Sequence, residues 1–541
     1  MTEPYQIFWG DTHHNTYQDY TQNPSMEHIL AFASTYLDFY SGAYYTPIIH
    51  FVNRLQSQTT PSLSELGHLI ESQGASGWRG AHIETLKDPA RIQAQWQEFQ
   101  QATASWKEPG RFIAFPGYEW QGDGSCGDHN VMYFEEGLPI YTPPTIRELY
   151  ACLRGRRALA IPHHIGYQTG LRAPDWSSTD ETLSPYAEIF SIHGCSETDE
   201  EWIGLRRNSH MGPGSSGGVY QRALDLGLHL GAVCSTDNWS NMPGCYGQGL
   251  MGALAEELSR ESLWQAFNAR RVFGVTGDRI HLDYTLNGAV MGSRLPHAKQ
   301  RTIRVRVEGA DAIDRIELLR NGRVIATHCH QGTWNQPHTG QVSRYKLRIE
   351  TGWGPRPGEL PFGEHLWQGR LSLSSGRFTG WQPCWVNPGQ SVPRLEGSQA
   401  YFTLISLQAQ VPAQCQGGIV LEFESTPERE LYLQLNEVEV RAPVASYAEG
   451  SRILWYRDEC AQMLKEQVGI DAETLDREDP LYHFAFKAKL HRAIPADGYQ
   501  AQFEFTDDEP LKGEANYRVR VEQRNGQRAW SSPIWVAGEA G

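Results

Sequence analysis

The sequence predicts an α/β fold over residues 1–292 and an antiparallel, β-sandwich-rich fold over residues 293–541. In the first part, short apolar runs alternate with amphipathic segments, a pattern typical of βα units built on a parallel sheet. In the second part, short alternating segments are separated by Gly, Asn and Pro turns, a pattern typical of antiparallel strands. The first part is therefore expected to form an α/β barrel or an open α/β layer.

The predicted strands of the first part end in polar or ionisable residues. Because the C-terminal ends of parallel strands gather on one face of an α/β fold, these side chains are expected to share one site. The residues at the strand ends are Asp11 to His14, Glu119, His163, His164, His193 and Asp237.

The second part reads as a series of short strands such as RTIRVRVEGA and NYRVRVEQRNGQRAWSSPIWV. The pair Asn321-Gly322 has the composition of a two-residue hairpin turn. An insertion is expected at about residues 352–480, because a Gly/Pro-rich passage and a helix-like segment interrupt the strand pattern there.

Composition narrows the class of protein. The 541 residues carry 47 basic and 63 acidic side chains, a net charge of −16, which argues against a general nucleic-acid or anionic-membrane surface. No apolar run approaches the ~18 residues of a membrane span, and the start lacks the pattern of a secretory leader. We expect a soluble, cytoplasmic protein that acts on a small molecule. An anionic substrate would need a local positive feature, such as a metal ion.

The residue types at the strand ends favour metal binding. Imidazole nitrogen and carboxylate oxygen are the ligands preferred by Zn²⁺, Mn²⁺ or Fe²⁺, and a carboxylate can bridge two ions. One or two such ions can activate water at neutral pH. Nine scattered Cys residues without a CxxC pair make a zinc ribbon or a disulfide scaffold an unfavoured alternative.

The order of these motifs resembles the PHP (polymerase and histidinol phosphatase) superfamily, and within it a large two-domain bacterial branch of unknown function. The segments are GDTHHNT, PGYEW, GDHNVMY, IPHHIGY, SIHGCSE, CSTDNWS and ARRVFGVTGDRI. The resemblance spans about residues 7–292 and 515–536. It implies a distorted (β/α)7 barrel that holds up to three metal ions and hydrolyses phosphate esters.

Three ligand positions of the family pattern are changed in this chain. The opening HxH falls on His13 and Asn15, the later Asp-His pair on Tyr44-Tyr45, and the late Asp-x-His on Asp237-Asn238-Trp239. The resemblance therefore implies that the third metal site is lost. Trp239, Tyr44 and Tyr45 would either build an aromatic wall or simply fill the vacated space.

The remaining positions imply two ion sites. One would be formed by His13 and Asp237 with Asn15, a weak amide ligand, and the other by His129 and His163, with Glu119 bridging. His164 is an alternative to His163, because neighbouring side chains on an extended segment point to opposite faces.

His193 is expected either to ligate metal or to donate a proton to the leaving group, since imidazole titrates near neutral pH. The favoured hypothesis is a metal-dependent hydrolase acting on a phosphoester or related ester, with Glu119 as a second catalytic group. Two alternatives stay open: metal-dependent C–N or C–O cleavage or elimination, and a degenerate barrel that binds a ligand without catalysis. The oligomeric state is not predicted.

Overall fold

The computed structural model describes residues 5–16, 25–45, 89–200, 205, 211–238, 242–355, 364–407 and 416–539. These residues form a mixed α/β structure that is rich in strands. None of the described helices is long and apolar enough to span a membrane.

The first part contains twelve described strands and five described α-helices up to residue 280, and its last two strands, His281–Leu286 and Ala289–Val290, are given below with the second part. The strands are β1 Gln6–Thr16, β2 Phe39–Tyr45, β3 Lys107–Glu108, β4 Phe112–Phe115, β5 Gly117–Trp120, β6 His129–Tyr133, β7 Ala158–Pro162, β8 Tyr186–Ser191, β9 Gly194–Cys195, β10 Gly231–Cys234, β11 Leu250–Ala255 and β12 Val272–Val275. The helices are Met26–Ala33, Pro89–Ala104, Ile146–Leu153, Tyr220–Asp225 and Arg260–Asn268.

The strands of the first part pair in both directions, whereas the alternating sequence pattern predicted a parallel sheet. β1 is parallel to β2 and antiparallel to β11, and β2 is parallel to β4 and β5. β5, β6 and β7 are antiparallel neighbours, while β8 is parallel to β10 in a separate sheet with β9. The link between β5 and β6, residues 121–128, is too short for the crossover that parallel pairing needs. The (β/α)7 barrel stays a prediction.

The second part is built mainly of antiparallel strands. The strands are β13 His281–Leu286, β14 Ala289–Val290, β15 Arg294–Leu295, β16 Arg301–Glu308, β17 Ile313–Arg320, β18 Arg323–Cys329, β19 Ser343–Trp353, β20 Glu364–Leu373, β21 Arg377–Cys384, β22 Arg394–Glu396, β23 Gln399–Leu407, β24 Gly417–Ser425, β25 Glu430–Leu435, β26 Val438–Pro443, β27 Arg452–Trp455, β28 Lys487–Leu490, β29 Ile494–Pro495, β30 Gln500–Asp507, β31 Ala515–Gln523, β32 Arg528–Ser531 and β33 Ile534–Val536. The described helices are Val444–Glu449, Arg457–Val468, Asp479–Phe484 and Ala496–Tyr499.

Two sheets form a unit inserted between β18 and β30. One has the order β21-β24-β19-β28-β27, and the other has the order β22-β23-β20-β25-β26. Buried and partly exposed residues alternate along β20 and β23, and Trp367, Phe402 and Leu421 share one core. We call this unit the inserted sandwich; it covers the region in which the sequence predicts an insertion.

The last strands of the chain return to the first part. β12 pairs with β32, so that Phe273 lies opposite Ser531 and Gly274 opposite Trp530. β31 also pairs with β17, and the sheet β14-β13-β16-β30 packs on these strands through a common core that includes Tyr284 and Val519. The main sheet is therefore continuous across residue 292, where the sequence pattern changes.

Candidate metal centre

A distortion of β1 places the first ligand candidate. The register of β1 against β2 shifts between Asp11 and His14, and such irregularities often re-aim side chains beside active sites. His13 lies in the cluster described below, while His14 Nδ1 lies 2.9 Å from Tyr40 Oη. The backbone N–H of Asp237 donates to the His13 carbonyl at 2.7 Å, which ties the segment after β10 to β1.

Five side chains from separate strand ends meet in one buried cluster. His13 Nε2 lies 3.2 Å from Asp237 Oδ1 and 3.7 Å from Glu119 Oε2. His163 Nε2 lies 4.0 Å from Glu119 Oε1, and the His13 and His163 ring centroids are 4.1 Å apart. His193 Nε2 lies 3.1 Å from the other carboxylate oxygen of Asp237. Glu119 thus lies near both His13 and His163 but belongs to none of the ligand sets given below, and its role as a bridging carboxylate stays a prediction.

Three sets of side chains within the described residues have ligand atoms close enough to share one cation. In each set, all of the potential ligand atoms lie within 4.8 Å of one another. The sets are His13, His163 and Asp237; Asp128, His163 and His164; and His164, His193 and Asp237.

Several polar atoms of this cluster are buried without a hydrogen-bond partner. They include both ring nitrogens of His163 and Nδ1 of His164. His13 Nε2 and Asp237 Oδ2 form no hydrogen bond of good geometry, but each lies within ion-pair distance of another member of the cluster. Most buried polar side-chain atoms in proteins have a partner, because desolvation without one is costly. Nitrogen and carboxylate oxygen atoms left in this state at one place fit a divalent metal ion.

The opposite nitrogens of three imidazoles are held by outer groups. Glu188 Oε2 lies 2.9 Å from His13 Nδ1, Asp128 Oδ2 lies 3.2 Å from His164 Nε2, and Tyr167 Oη lies 2.7 Å from His193 Nδ1. Carboxylates and other acceptors in this position fix the tautomer and orientation of a ligating histidine. The arrangement leaves Nε2 of His13, Nδ1 of His164 and Nε2 of His193 as the nitrogens that could bind a cation.

The charged side chains of the cluster shift one another's pKa values. Although burial lowers the pKa of His13, the carboxylates of Asp237 and Glu188 raise it well above its usual value. Burial opposes ionisation of Asp237, but the imidazoles of His13 and His193 hold its pKa below the usual range. Burial, followed by the charge on His13, lowers the pKa of His163 well below its usual value. The lowered pKa favours the neutral imidazole, the form that binds metal.

The backbone at two cluster residues is left-handed. His164 has φ 34° and Asp237 has φ 47°, values that non-glycine residues rarely adopt and that concentrate at functional sites. An extended segment would send the side chains of His163 and His164 to opposite faces. Because the chain turns at His164, the imidazoles of both His163 and His164 belong to candidate ligand sets.

The other predicted site residues lie at the margin of the cluster. Asn15 Nδ2 donates to Asp237 Oδ1 at 3.2 Å, so its amide supports a ligand candidate while its own oxygen stays buried without a partner. His129 contacts Trp120 edge-on, and burial lowers its pKa to about 4. His129 belongs to none of the three ligand sets found among the described residues. The roles of Asn15 and His129 as metal ligands stay predictions.

Tyr44 is one of the aromatic residues that stand at the changed ligand positions. Tyr44 is fully buried, donates to Gln95 Oε1 at 2.9 Å and packs on Trp96, which supports infill packing over a substrate wall. Trp239 lies outside the described residues.

Sequence reasoning missed the outer groups of the cluster. Glu188 is the charged residue in the buried strand YAEIFS, which was the available signal. Asp128 precedes His129 in the GDHN motif, and Arg172 Nη1 donates to both of its carboxylate oxygens at 2.8 and 2.9 Å. No local pattern marks Arg172 or Tyr167, because their partners lie at a distance along the chain.

The chain is similar to uncharacterized proteins over less than half of its length. No family model matches the chain. An uncharacterized protein of Chlamydia pneumoniae is 24% identical over 252 residues, which cover 43% of this chain and 40% of that protein. An uncharacterized protein of Chlamydia muridarum is 29% identical over 266 residues, which cover 44% of this chain and 41% of that protein. The matches thus span about two fifths of the length of these curated relatives.

One solved structure is also similar to this chain. It is a two-domain protein of Bacteroides vulgatus that contains a predicted PHP-like metal-dependent phosphoesterase, with 11% identity and a TM-score of 0.31. The alignment covers 59% of this chain and 80% of that chain. A likeness this low carries no argument about the site.

Replacing Glu188 by glutamine should weaken metal binding without unfolding the protein. The variant removes the charge behind His13 Nδ1, and changes of this kind typically cost about 10- to 100-fold in metal affinity. The measurement is titration of metal-free protein with Zn²⁺ or Mn²⁺ against a competing chelator. Asp311→Asn, which neutralises a buried carboxyl group in the second part of the chain, serves as the matched control. Equal affinities for the two variants would remove the orienting role from Glu188.

Proposed function

We propose that this chain is a metal-dependent hydrolase that uses one or two divalent transition-metal ions to activate water for attack on a phosphoester or related small-molecule ester. The observation that carries the proposal is the buried set of His13, His163 and Asp237, whose ligand atoms lie within 4.8 Å of one another. Buried, unpartnered nitrogens beside a carboxylate have few uses other than holding a cation. The order of motifs in the sequence, which resembles the PHP superfamily, supports the same chemistry.

Each residue of the cluster has a defined task in this proposal. Divalent ions held there would supply Lewis-acid activation of water and of the scissile ester. Asp237 and Glu119 would provide negative charge, and His13 and His163 would provide imidazole nitrogen ligands. The clustering of opposite charges in a dry site strengthens each interaction, because the local dielectric constant is low.

We assign His193 the role of a proton donor. Its Nδ1 is held by Tyr167 Oη at 2.7 Å, and its Nε2 lies 3.1 Å from Asp237 Oδ2. The contact with Tyr167 fixes the plane of the imidazole, so that Nε2 remains beside the reacting region. The same geometry allows His193 to ligate metal together with His164 and Asp237, and the variant His193→Gln separates the two roles. Loss of turnover with unchanged metal stoichiometry indicates proton donation, and loss of bound metal indicates ligation.

Elemental analysis followed by a substrate screen tests the proposed function. Purified protein should bind at least about one equivalent of Zn²⁺, Mn²⁺ or Fe²⁺ and then hydrolyse a phosphomonoester, a phosphodiester or a carboxylic ester. Glu119→Ala should retain the fold and lose this activity. Less than about half an equivalent of metal, even after incubation with each ion, would overturn the proposal. Metal-loaded protein that turns over none of the three ester classes would likewise contradict hydrolysis.

A further inference from the structure

A cavity of about 750 Å³ opens between the inserted sandwich and the ends of β17 and β31. We call it the junction cavity. Its lining residues are well separated in sequence from those of the candidate metal centre. Asp311, Arg524 and Asn525, which flank β17 and β31, line one wall. Lys489 and Arg492, in β28 and the turn after it, line the opposite wall. Junctions between structural units are common places for ligand sites, and the volume suits a small organic molecule.

The lining of the junction cavity carries an excess of positive charge in an acidic protein. Lys489, Arg492 and Arg524 come from two distant segments, and none of them forms an ion pair among the described residues. The nearby His491 lies 2.6 Å from Glu350, so its charge is matched. Asp311 is the acidic side chain of the lining, and three cations outnumber it. Arg524 Nη1 lies 2.9 Å from His330 Nδ1, and Lys489 lies opposite Glu350 on the neighbouring strand. Since the chain as a whole has a net charge of −16, this convergence of cations is a local exception.

The lining also offers apolar surface. Trp334 is a lining residue whose ring packs with Ala312 and Ile494. Apolar lining residues, Ala312, Ala448 and Ile494, would contact the carbon skeleton of an organic ligand.

We propose that the junction cavity binds a small organic anion that carries two or more negative charges on phosphate or carboxylate groups. The guanidinium groups of Arg492 and Arg524 match the oxygen geometry of either group, and Lys489 adds a point charge. This site is independent of the proposed hydrolase activity, because it shares no residue with the metal cluster.

Isothermal titration of the full chain with pyrophosphate and with citrate tests the proposal. The protein is first freed of metal, so that the probes cannot bind through an ion at the metal centre. At least one probe should bind, and the affinity should fall as salt is added, because screening weakens attraction between exposed charges. The double variant Lys489→Ala/Arg492→Ala should lose about tenfold or more of this affinity.

The control variant removes two exposed cations elsewhere, Lys299→Ala/Arg323→Ala, and has the same net charge as the test variant. It should bind the probes as tightly as the unmodified chain. Preference for pyrophosphate over citrate, or the reverse, identifies the anionic group. Two results would overturn the proposal: absence of binding by both probes at millimolar concentration, or equal affinities for the two double variants. Thermal unfolding of each variant confirms that the comparison is made on folded protein.

Discussion

Asp237→Asn is expected to abolish turnover and reduce metal stoichiometry while leaving the fold unchanged. Asp237 faces His13 on one side and His193 on the other, at 3.2 and 3.1 Å. The substitution therefore removes the negative charge from the two ligand sets that contain Asp237. Asparagine has the same shape and tolerates the left-handed backbone at this position, where φ is 47°. The loss in turnover should exceed about a hundredfold, because removal of even an outer partner of a metal ligand can cost that much.

The measurement combines elemental analysis, turnover and circular dichroism. His163→Ala should give the same outcome, since it removes a nitrogen from two of the candidate ligand sets. Asp225→Asn, at an exposed position in the helix Tyr220–Asp225, is the matched control and should behave as the unmodified protein. Normal rates in both Asp237→Asn and His163→Ala would exclude this cluster as the reactive site.

Asp278→Ala is expected to lower the free energy of unfolding by about 3–5 kcal/mol, the cost of leaving a buried charge without its partner. Asp278 and Arg348 are both buried, and Arg348 Nη2 donates to the two carboxylate oxygens at 2.7 and 2.6 Å. Tyr246 Oη donates to Asp278 at 2.9 Å, and the side-chain amides of Gln523 and Asn525 each donate at 2.7 Å. One carboxylate thus joins the end of the first part, the inserted sandwich and the last strands.

Urea denaturation at neutral pH measures this loss. Arg304→Ala is the control, because the Arg304–Glu504 pair is exposed and such pairs contribute at most about 1 kcal/mol. Burial opposes ionisation of Asp278, but Arg348 holds its pKa below the usual value. A depressed folded-state pKa means that the contribution is present near neutral pH and is lost as the pH falls through that pKa. The difference between Asp278→Ala and the unmodified chain should therefore shrink in acid; a difference below about 1 kcal/mol at pH 7 would contradict the role of this network.

Local patterns in the sequence predicted local structure well. The predicted hairpin at Asn321-Gly322 is confirmed: Arg320 pairs with Arg323, and both turn residues have positive φ, at 48° and 77°. Alternation of buried and exposed residues along β23 agrees with the predicted sandwich strands. These features depend on a few neighbouring residues, so composition and periodicity are sufficient to find them.

Polar residues at the ends of the predicted strands were expected to share one site. Five of them lie within a few ångströms of one another in the structure: His13, Glu119, His163, His193 and Asp237. The sequence pattern could not identify the residues that surround them, because the contact of Glu188 with His13 joins residues 175 positions apart. Strand direction was likewise beyond the pattern, since periodicity reports which face is buried but does not report which way a neighbouring strand runs.

The return of β32 to β12 has a consequence for biosynthesis. During translation, β12 leaves the ribosome about 250 residues before its partner, so that its edge stays open until the last segment of the chain has been made. An open edge of this kind invites pairing with other chains. We therefore expect residues 1–292 to aggregate when they are expressed alone. The nascent chain would depend on chaperones until strand Arg528–Ser531 pairs with β12.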